Sequence, residues 1–287
     1  GVAMSGDLEL VGLHKDMPAE TYHGIQAMSA GGLKRMRRSP AHFFGMQLDP
    51  NRPPPGEPTP AMKAGTLMHT CIFEPDQVAA RYIVAPEGVD YRTKAGKDWK
   101  AATQAAHPGV EIIDTTQMAV AQAQARNIRA LPEVASLLAD GYGESSAFWI
   151  DEATGELCKC RPDWTSPAGD GVILVDGKST VDASPDGFSR VIWNMDYALQ
   201  AAWYVDGFQA ATGLKVHGFV FAAAESAWPH AAAASMPADD VLDWARRKNR
   251  ALLNRYAECK KSGQWPAYDT SIQLIAMPAW AMKEIAE

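Results

Sequence analysis

Two carboxylates and an amine fall in this sequence at a spacing that suits phosphodiester hydrolysis. Arg161-Pro162-Asp163 is followed thirteen residues later by Asp176-Gly177-Lys178, and the apolar run Val172-Ile173-Leu174-Val175 leads straight into the second group. That run is short, β-branched and apolar, as a buried strand is, and strand residues at i and i+2 project to one side. Asp176 and Lys178 therefore share a face. Acids so placed can hold a hard divalent cation, and an amine beside them can steady or deprotonate the attacking water. Phosphoryl transfer gains most from charge positioned in this way. Asp-Gly is also a frequent turn dipeptide, so the residues alone leave open a Lys178 that closes a hairpin into solvent. The neighbourhood favours the site. Residues 157–164 (Leu-Cys-Lys-Cys-Arg-Pro-Asp-Trp) read as a strand ending in the Pro-Asp pair, and residues 167–171 are rich in Gly, Pro and Asp and turn the chain back. Two adjacent antiparallel strands would bring Asp163 and Asp176 within reach of one ion.

Periodicity and punctuation outline the elements that must position these groups. Ser29 suits the N-cap of a helix running toward Arg38, and residues 49–60, with six prolines, form a loop. Helices are expected over 61–73, carrying His69, over 93–106, and over 115–138 with an interruption near Pro132. Three strands follow at 145–151, 156–164 and 172–178, then a helix over 188–212, a strand at 216–222, an edge strand at 231–236 and a helix over 239–262. Strands followed by a crossover helix and a further strand predict an α/β fold, a central mixed β-sheet flanked by helices. The 287 residues are read as one domain: a mainly helical part over 1–140, an αβ core over 141–265 and a tail over 266–287.

Composition restricts the classes of function. At 47% hydrophobic the chain can bury a large core, yet no apolar stretch approaches the roughly 18 residues of a membrane span. No basic segment leading into an apolar run opens the sequence, so neither span nor leader is expected, and the location is expected to be cytoplasmic. Cys71, Cys158, Cys160 and Cys259 are scattered, without the second pair that would close a zinc site around Cys158 and Cys160; reduced thiols are expected. The net charge of −7 argues superficially against a nucleic acid partner, but phosphate binding depends on the local basic groups and any bound metal. Lys34-Arg35-Met36-Arg37-Arg38 puts four cations on about one and a half helical turns. Arg246-Arg247-Lys248-x-Arg250 reads as a solvated face. Glu144, before the apolar Ala147-Phe148-Trp149-Ile150, reads as a strand-end acid.

The ordered set of motifs resembles the PD-(D/E)XK nucleases, and within them the branch of lambda exonuclease, the RecB nuclease domain and the RecE-type exonucleases. Pro162-Asp163 and Asp176-Gly177-Lys178 match the signature. Gly65-Thr66-Leu67-Met68-His69 looks like the branch's upstream Gly-x-x-x-His motif, and Gln200-Ala201-Ala202-Trp203-Tyr204 like its downstream Gln-x-x-x-Tyr motif. Residues 29–44 resemble its opening helix, most of all over Ser-Pro-Ala-His-Phe-Phe. The resemblance implies a restriction-endonuclease-like core. It makes Asp163 and Asp176 the metal carboxylates, adds the Gly177 carbonyl and His69 to the metal shell, and sets Lys178 on the attacking water and scissile phosphate. It gives Gln200 and Tyr204, four apart on one helical face, the task of orienting phosphate or buttressing the lysine. It also places a 5′-phosphate site near the opening helix, with Ser29, Lys34, Arg37 and Arg38 as candidates, since a helix N-terminus itself favours an anion. The residues alone leave His69 open as a buried core histidine and Tyr204 as packing.

The implied activity is a Mg²⁺-dependent 5′-to-3′ exonuclease, with Mn²⁺ substituting and two ions per site. Such an enzyme degrades linear double-stranded DNA to 5′-mononucleotides and leaves 3′ overhangs. The resemblance further implies a ring-shaped homotrimer around DNA, a single-strand annealing partner in recombination, and a phage origin. An endonuclease of the same fold and an inactive DNA-end binding module are the alternatives. Alanine at Asp163, Asp176 or Lys178 is expected to abolish turnover and leave folding largely intact.

Overall fold

Polar side chains cap the longer helices of the N-terminal half. The computed structural model describes residues 5–54 and 56–277. It opens with α1 (Ser5–Leu10), β1 (Gly12–His14) and α2 (Ala19–Gly24), then α3 (Ala30–Arg38) and α4 (Pro40–Gln47). Ser29 caps α3 as its position predicts, its hydroxyl accepting from the Gly32 amide at 3.2 Å. The helix expected from Ser29 toward Arg38 is α3, and the stretch 29–44 that resembles the family's opening helix holds a second helix as well. Ser39 is extended, caps α4 by accepting from the His42 amide at 3.2 Å, and precedes Pro40, which has no N–H to carry α3 onward. After the proline loop come α5 (Pro60–Phe73), a 3₁₀ turn (Pro75–Gln77), α6 (Val78–Arg81), β2 (Tyr82–Val84), α7 (Lys94–Ala106), β3 (Glu111–Ile113), α8 (Thr115–Arg129) and α9 (Pro132–Leu138). The helices expected at 61–73 and 93–106 and the pair divided at Pro132 are therefore present, with Thr59, Thr93 and Asp114 as side-chain caps.

The second half builds the sheets from β4 (Tyr142–Gly143), β5 (Ser146–Ile150), β6 (Leu157–Cys160), β7 (Trp164–Ala168), β8 (Gly171–Thr180), β9 (Lys215–Glu225) and β10 (Ala232–Ser235). Helices α10 (Pro185–Asn194) and α11 (Tyr197–Thr212) cross between β8 and β9, and α12 (Asp239–Ser262) follows β10. A five-stranded sheet runs β10-β9-β8-β7-β4, with β8 and β9 parallel and the other neighbours antiparallel. A second, antiparallel sheet runs β1-β5-β6, and β2 pairs with β3 in parallel. The mixed sheet flanked by helices is the architecture expected, with β10 at an edge. Alternate residues of β8 and β9 supply two cores: Leu174, Phe219 and Phe221 pack with Phe188, Leu199 and Phe208 of α10 and α11, while Val175, Val220 and Ala222 pack with Met68, Ile72 and Ile128 of α5 and α8. Burial on both faces explains the near-continuous apolar run of β8. Among the described residues, no helix is long and apolar enough to cross a membrane.

Two breaks depart from the expected elements, and both shape the site. The strand expected over 156–164 stops at Cys160 and resumes as β7 in the other sheet. Pro162 cannot donate to a ladder, and the Arg161 guanidinium is drawn aside to Glu144 (2.7 Å), the Met17 carbonyl (3.0 Å) and the Ser146 hydroxyl. Asp163 is thereby left at a corner between the sheets. The helix expected over 188–212 divides at Met195-Asp196, where Asp196 adopts a left-handed conformation (φ 56°) that aspartate tolerates better than most residues. Its carboxylate forms an ion pair with Arg37.

Candidate active site

The pairing of β7 with β8 sets Trp164 opposite Val175, so Asp163, one residue earlier, stands across from Asp176 at the end of the ladder. Asp163 Oδ2 accepts a hydrogen bond from the Gly177 amide at 2.8 Å. From the other side of β8, α5 brings in His69, whose Nε2 donates to the Gly177 carbonyl at 2.7 Å and whose Nδ1 lies 3.5 Å from Asp163 Oδ2. Gly177 permits this approach: a Cβ there would stand 3.0 Å from the Phe73 ring and 3.4 Å from the His69 ring. Asp176, 1% exposed, accepts from Gln200 Nε2 at 2.6 Å through Oδ1. Its Oδ2 forms an ion pair with the Lys178 ammonium and has no other hydrogen-bond partner among the described residues. Residues separated by more than a hundred positions, on α5, the β7 corner, β8 and α11, thus converge on one cluster.

The charges are strongly coupled. Burial, reinforced by the Asp176 charge, raises the Asp163 carboxyl to about 6 against the opposing pull of His69 and Lys178. Burial works against the Lys178 ammonium, yet Asp176 and Asp163 outweigh it and hold the amine above its ordinary value. Lys178 is therefore a cation at neutral pH. Its Nζ also lies 4.7 Å from the centroid of the Tyr197 ring. Tyr197, Gln200 and Tyr204 are spaced three and four apart and so occupy one face of α11. Burial pushes both tyrosine hydroxyls up, Tyr204 well above the ordinary value. Tyr204 packs edge-on against Phe219 at 6.0 Å.

The residues expected at a phosphate pocket are dispersed. Lys34 is half-buried and directed to Tyr197, with its Nζ 4.8 Å from the ring centroid. Arg37 is engaged by Asp196, and Arg38 is exposed at the end of α3. Ser29 caps α3 and also borders a groove of about 1710 Å³ lined in addition by Tyr22, Arg35, Lys159, Tyr204 and Lys260. Within it the buried Lys159 ammonium donates to the Tyr22 and Ile25 carbonyls, each at 2.7 Å. Tyr197 was missed in the sequence, although its place three residues before Gln200 on the same helical face was the signal that could have found it. Glu144, read as a strand-end acid, is the partner of Arg161, which the sequence gave no means to pair.

The donor set is a mixed one. Among the described residues no group of three or more His, Cys, Asp and Glu side chains forms a ready cage for a metal. The available donors are two carboxylates, one imidazole and one backbone carbonyl. His69 Nε2 donates to the Gly177 carbonyl, which leaves Nδ1 facing Asp163 Oδ2 at 3.5 Å. Asp176 Oδ2 is buried beside them with only an ion pair. An oxygen-rich set with one imidazole suits a hard divalent cation, Mg²⁺ or Mn²⁺.

Comparison with known proteins bears on the family and the fold. The model of a family described as a PDDEXK-like domain of unknown function (DUF3799) matches residues 29–277. The crystal structure of a "Putative exonuclease" from Eubacterium rectale matches with a TM-score of 0.58 at 15% identity, over 95% of this chain and 99% of that one. The crystal structure of SSO0001 matches at 16% identity with a TM-score of 0.30, over 66% of this chain and 88% of that one. No curated protein matches. At 15% identity the first of these likenesses shows a shared fold, while the family match spans the whole cluster and the elements that build it. The chain belongs to the PDDEXK-like DUF3799 family, and with it to the PD-(D/E)XK nuclease superfamily.

Proposed function

We propose that this protein is a metal-dependent deoxyribonuclease that degrades linear double-stranded DNA from its 5′ ends, releasing 5′-mononucleotides and leaving 3′ single-stranded overhangs. The observation that carries the reading is the convergence of Asp163, Asp176 and Lys178 with the Gly177 carbonyl and His69. Asp163, Asp176, Gly177 and His69 would hold Mg²⁺, or Mn²⁺ in its place, and a second ion is part of the proposal. When bound, such ions lower the pKa of water and neutralise charge on the phosphate.

The protein's own groups do the rest. Lys178, kept charged by the two acids, donates to the attacking water and the scissile phosphate and so acts as an orienting cation. Gln200 fixes Asp176 by donating to Oδ1, which directs the remaining oxygen toward Lys178 and the substrate. Tyr204 lines the groove bordered by Ser29 and Arg35, which is proposed to receive the DNA end. The polarity rests on the motif resemblance to the lambda exonuclease branch, and the exonuclease mode is supported further by the description of the Eubacterium rectale protein. A ring-shaped homotrimer and a single-strand annealing partner are proposed on the same resemblance.

Product analysis tests the polarity. Duplex DNA labelled at one terminus at a time should release a 5′-terminal label as mononucleotide first and retain a 3′-terminal label in long strands. Release from 3′ ends, or internal fragments, would overturn the direction or the exonuclease mode respectively.

A further inference from the structure

The α3 helix delivers one more cation to the cluster. Of its basic residues, Arg37 is engaged by Asp196, Arg38 is exposed and Arg35 borders the groove. Lys34 alone turns inward. Its Nζ stands 4.8 Å from the Tyr197 ring centroid, and the Lys178 Nζ stands 4.7 Å from the same centroid. The two ammonium groups interact electrostatically with each other, and Lys34 also feels Asp176. Burial, and then the Lys178 charge, lower the Lys34 amine to about 8. Lys34 nevertheless has neither a hydrogen-bond acceptor nor an ion pair among the described residues.

A half-buried ammonium beside a like charge, with only a ring face for company, lacks its counter-charge. Asp176 does not supply it, because that carboxylate is divided between Lys178 and Gln200. What satisfies two cations around one aromatic ring is an anion with several acceptor oxygens, and a phosphodiester is such an anion. We propose that Lys34 is a second catalytic cation, donating to a non-bridging oxygen of the same scissile phosphate that Lys178 contacts, with Tyr197 as the positioning residue that holds both ammonium groups. This rests on the nuclease reading above. It moves Lys34 from a 5′-phosphate pocket to the reacting phosphate itself.

Lys34→Met and Lys34→Arg, compared with wild type in steady-state cleavage of linear duplex, test this. Losing a donor aimed at developing charge should lower kcat by about 10²–10³ with KM nearly constant, and Lys34→Arg should recover part of the loss. A Lys34→Met enzyme with unchanged kcat, or with its loss confined to KM and a salt dependence shallower by about one phosphate contact, would overturn the proposal. Thermal unfolding should change little in both variants, since the lost contact with the Tyr197 ring is offset by relief of the like charge of Lys178.

A second measurement decides the matter if wild type cleaves no DNA. Calorimetric titration with thymidine 5′-monophosphate in Ca²⁺ should show binding by wild type and binding about tenfold weaker or more by Lys34→Met. Lys34-dependent binding without cleavage would sustain the phosphate site while the nuclease reading fell. Equal binding by both proteins, or no binding by either, would overturn the site.

Discussion

Asp176 is the point at which charge and burial meet in the cluster. Lys178 is almost as enclosed, with 13% of its side chain exposed, so removing Asp176 strands an ammonium without its nearest partner. Burial thus alters the expectation that every alanine variant folds equally well. Asp176→Ala should abolish turnover and also cost about 3–5 kcal/mol in chemical denaturation with EDTA present. Asp163→Asn should abolish turnover at no cost in stability, because it replaces a desolvated carboxylate that repels Asp176 with a neutral amide of the same shape. Equal destabilisation by the two would contradict this division. Gln200→Ala leaves Asp176 Oδ1 without its donor and should cost about 1–3 kcal/mol in the same assay. That His69, Asp163, Asp176, Gly177 and Lys178 come together was legible because the order of their motifs is particular to one family. The partners of Arg37 and Arg161 were not, since each bonds to a residue outside its own element that spacing does not reveal.

Strand register and helix ends carry the next level. The apolar run of β8 and the Pro-Asp end of the strand before it indicated the site, and the pairing of Trp164 with Val175 sets the two acids face to face. The division at Asp196 went unread because residues 188–212 are apolar on both sides of the break, whereas the stop at Arg161-Pro162 had a local signal in Pro162, which cannot donate to a ladder. Arg246 to Arg250, read as a solvated face, is partly structural. Arg250 grips Asp151 at 2.6 and 2.8 Å and so ties α12 to the turn between β5 and β6, while Arg246 pairs with Asp206 and Asp243. Burial alone would raise the Asp151 carboxyl, but Arg250 and Thr154 hold it below the usual carboxylate value. A depressed carboxyl stabilises the fold above its unfolded value of about 3.9, and the contribution is lost as pH falls through the lower folded value. Wild-type stability should therefore decline below about pH 4. Asp151→Asn should flatten that decline and cost about 1–2 kcal/mol at pH 7, the exposure of Arg250 moderating the loss. Parallel pH profiles of the two proteins would contradict the assignment.

At the scale of the whole molecule, the net charge of −7 means that the proposed DNA binding would fall to a few local cations and the proposed metal. Chelation should therefore abolish both cleavage and most end binding, and Mg²⁺ or Mn²⁺ should restore them. Light scattering at micromolar concentration should give a trimer; a monomer alone would contradict the ring. The mixed sheet and its flanking helices were legible because strand and helix periods differ over long segments. Strands β1 to β4 were not, since two or three residues carry no period. The central claim is that Asp163, Asp176 and Lys178 form a metal-dependent phosphodiesterase that works from DNA ends. Its most direct test is digestion of 5′-phosphorylated linear duplex, 5′-hydroxyl duplex and covalently closed circles in Mg²⁺, with Lys178→Ala alongside. Loss of linear DNA, fastest from phosphorylated ends, with circles spared and the variant inert, is the predicted result. Cleavage of circles would make the protein an endonuclease, and intact DNA throughout, in Mn²⁺ as well as Mg²⁺, would contradict the catalytic account altogether.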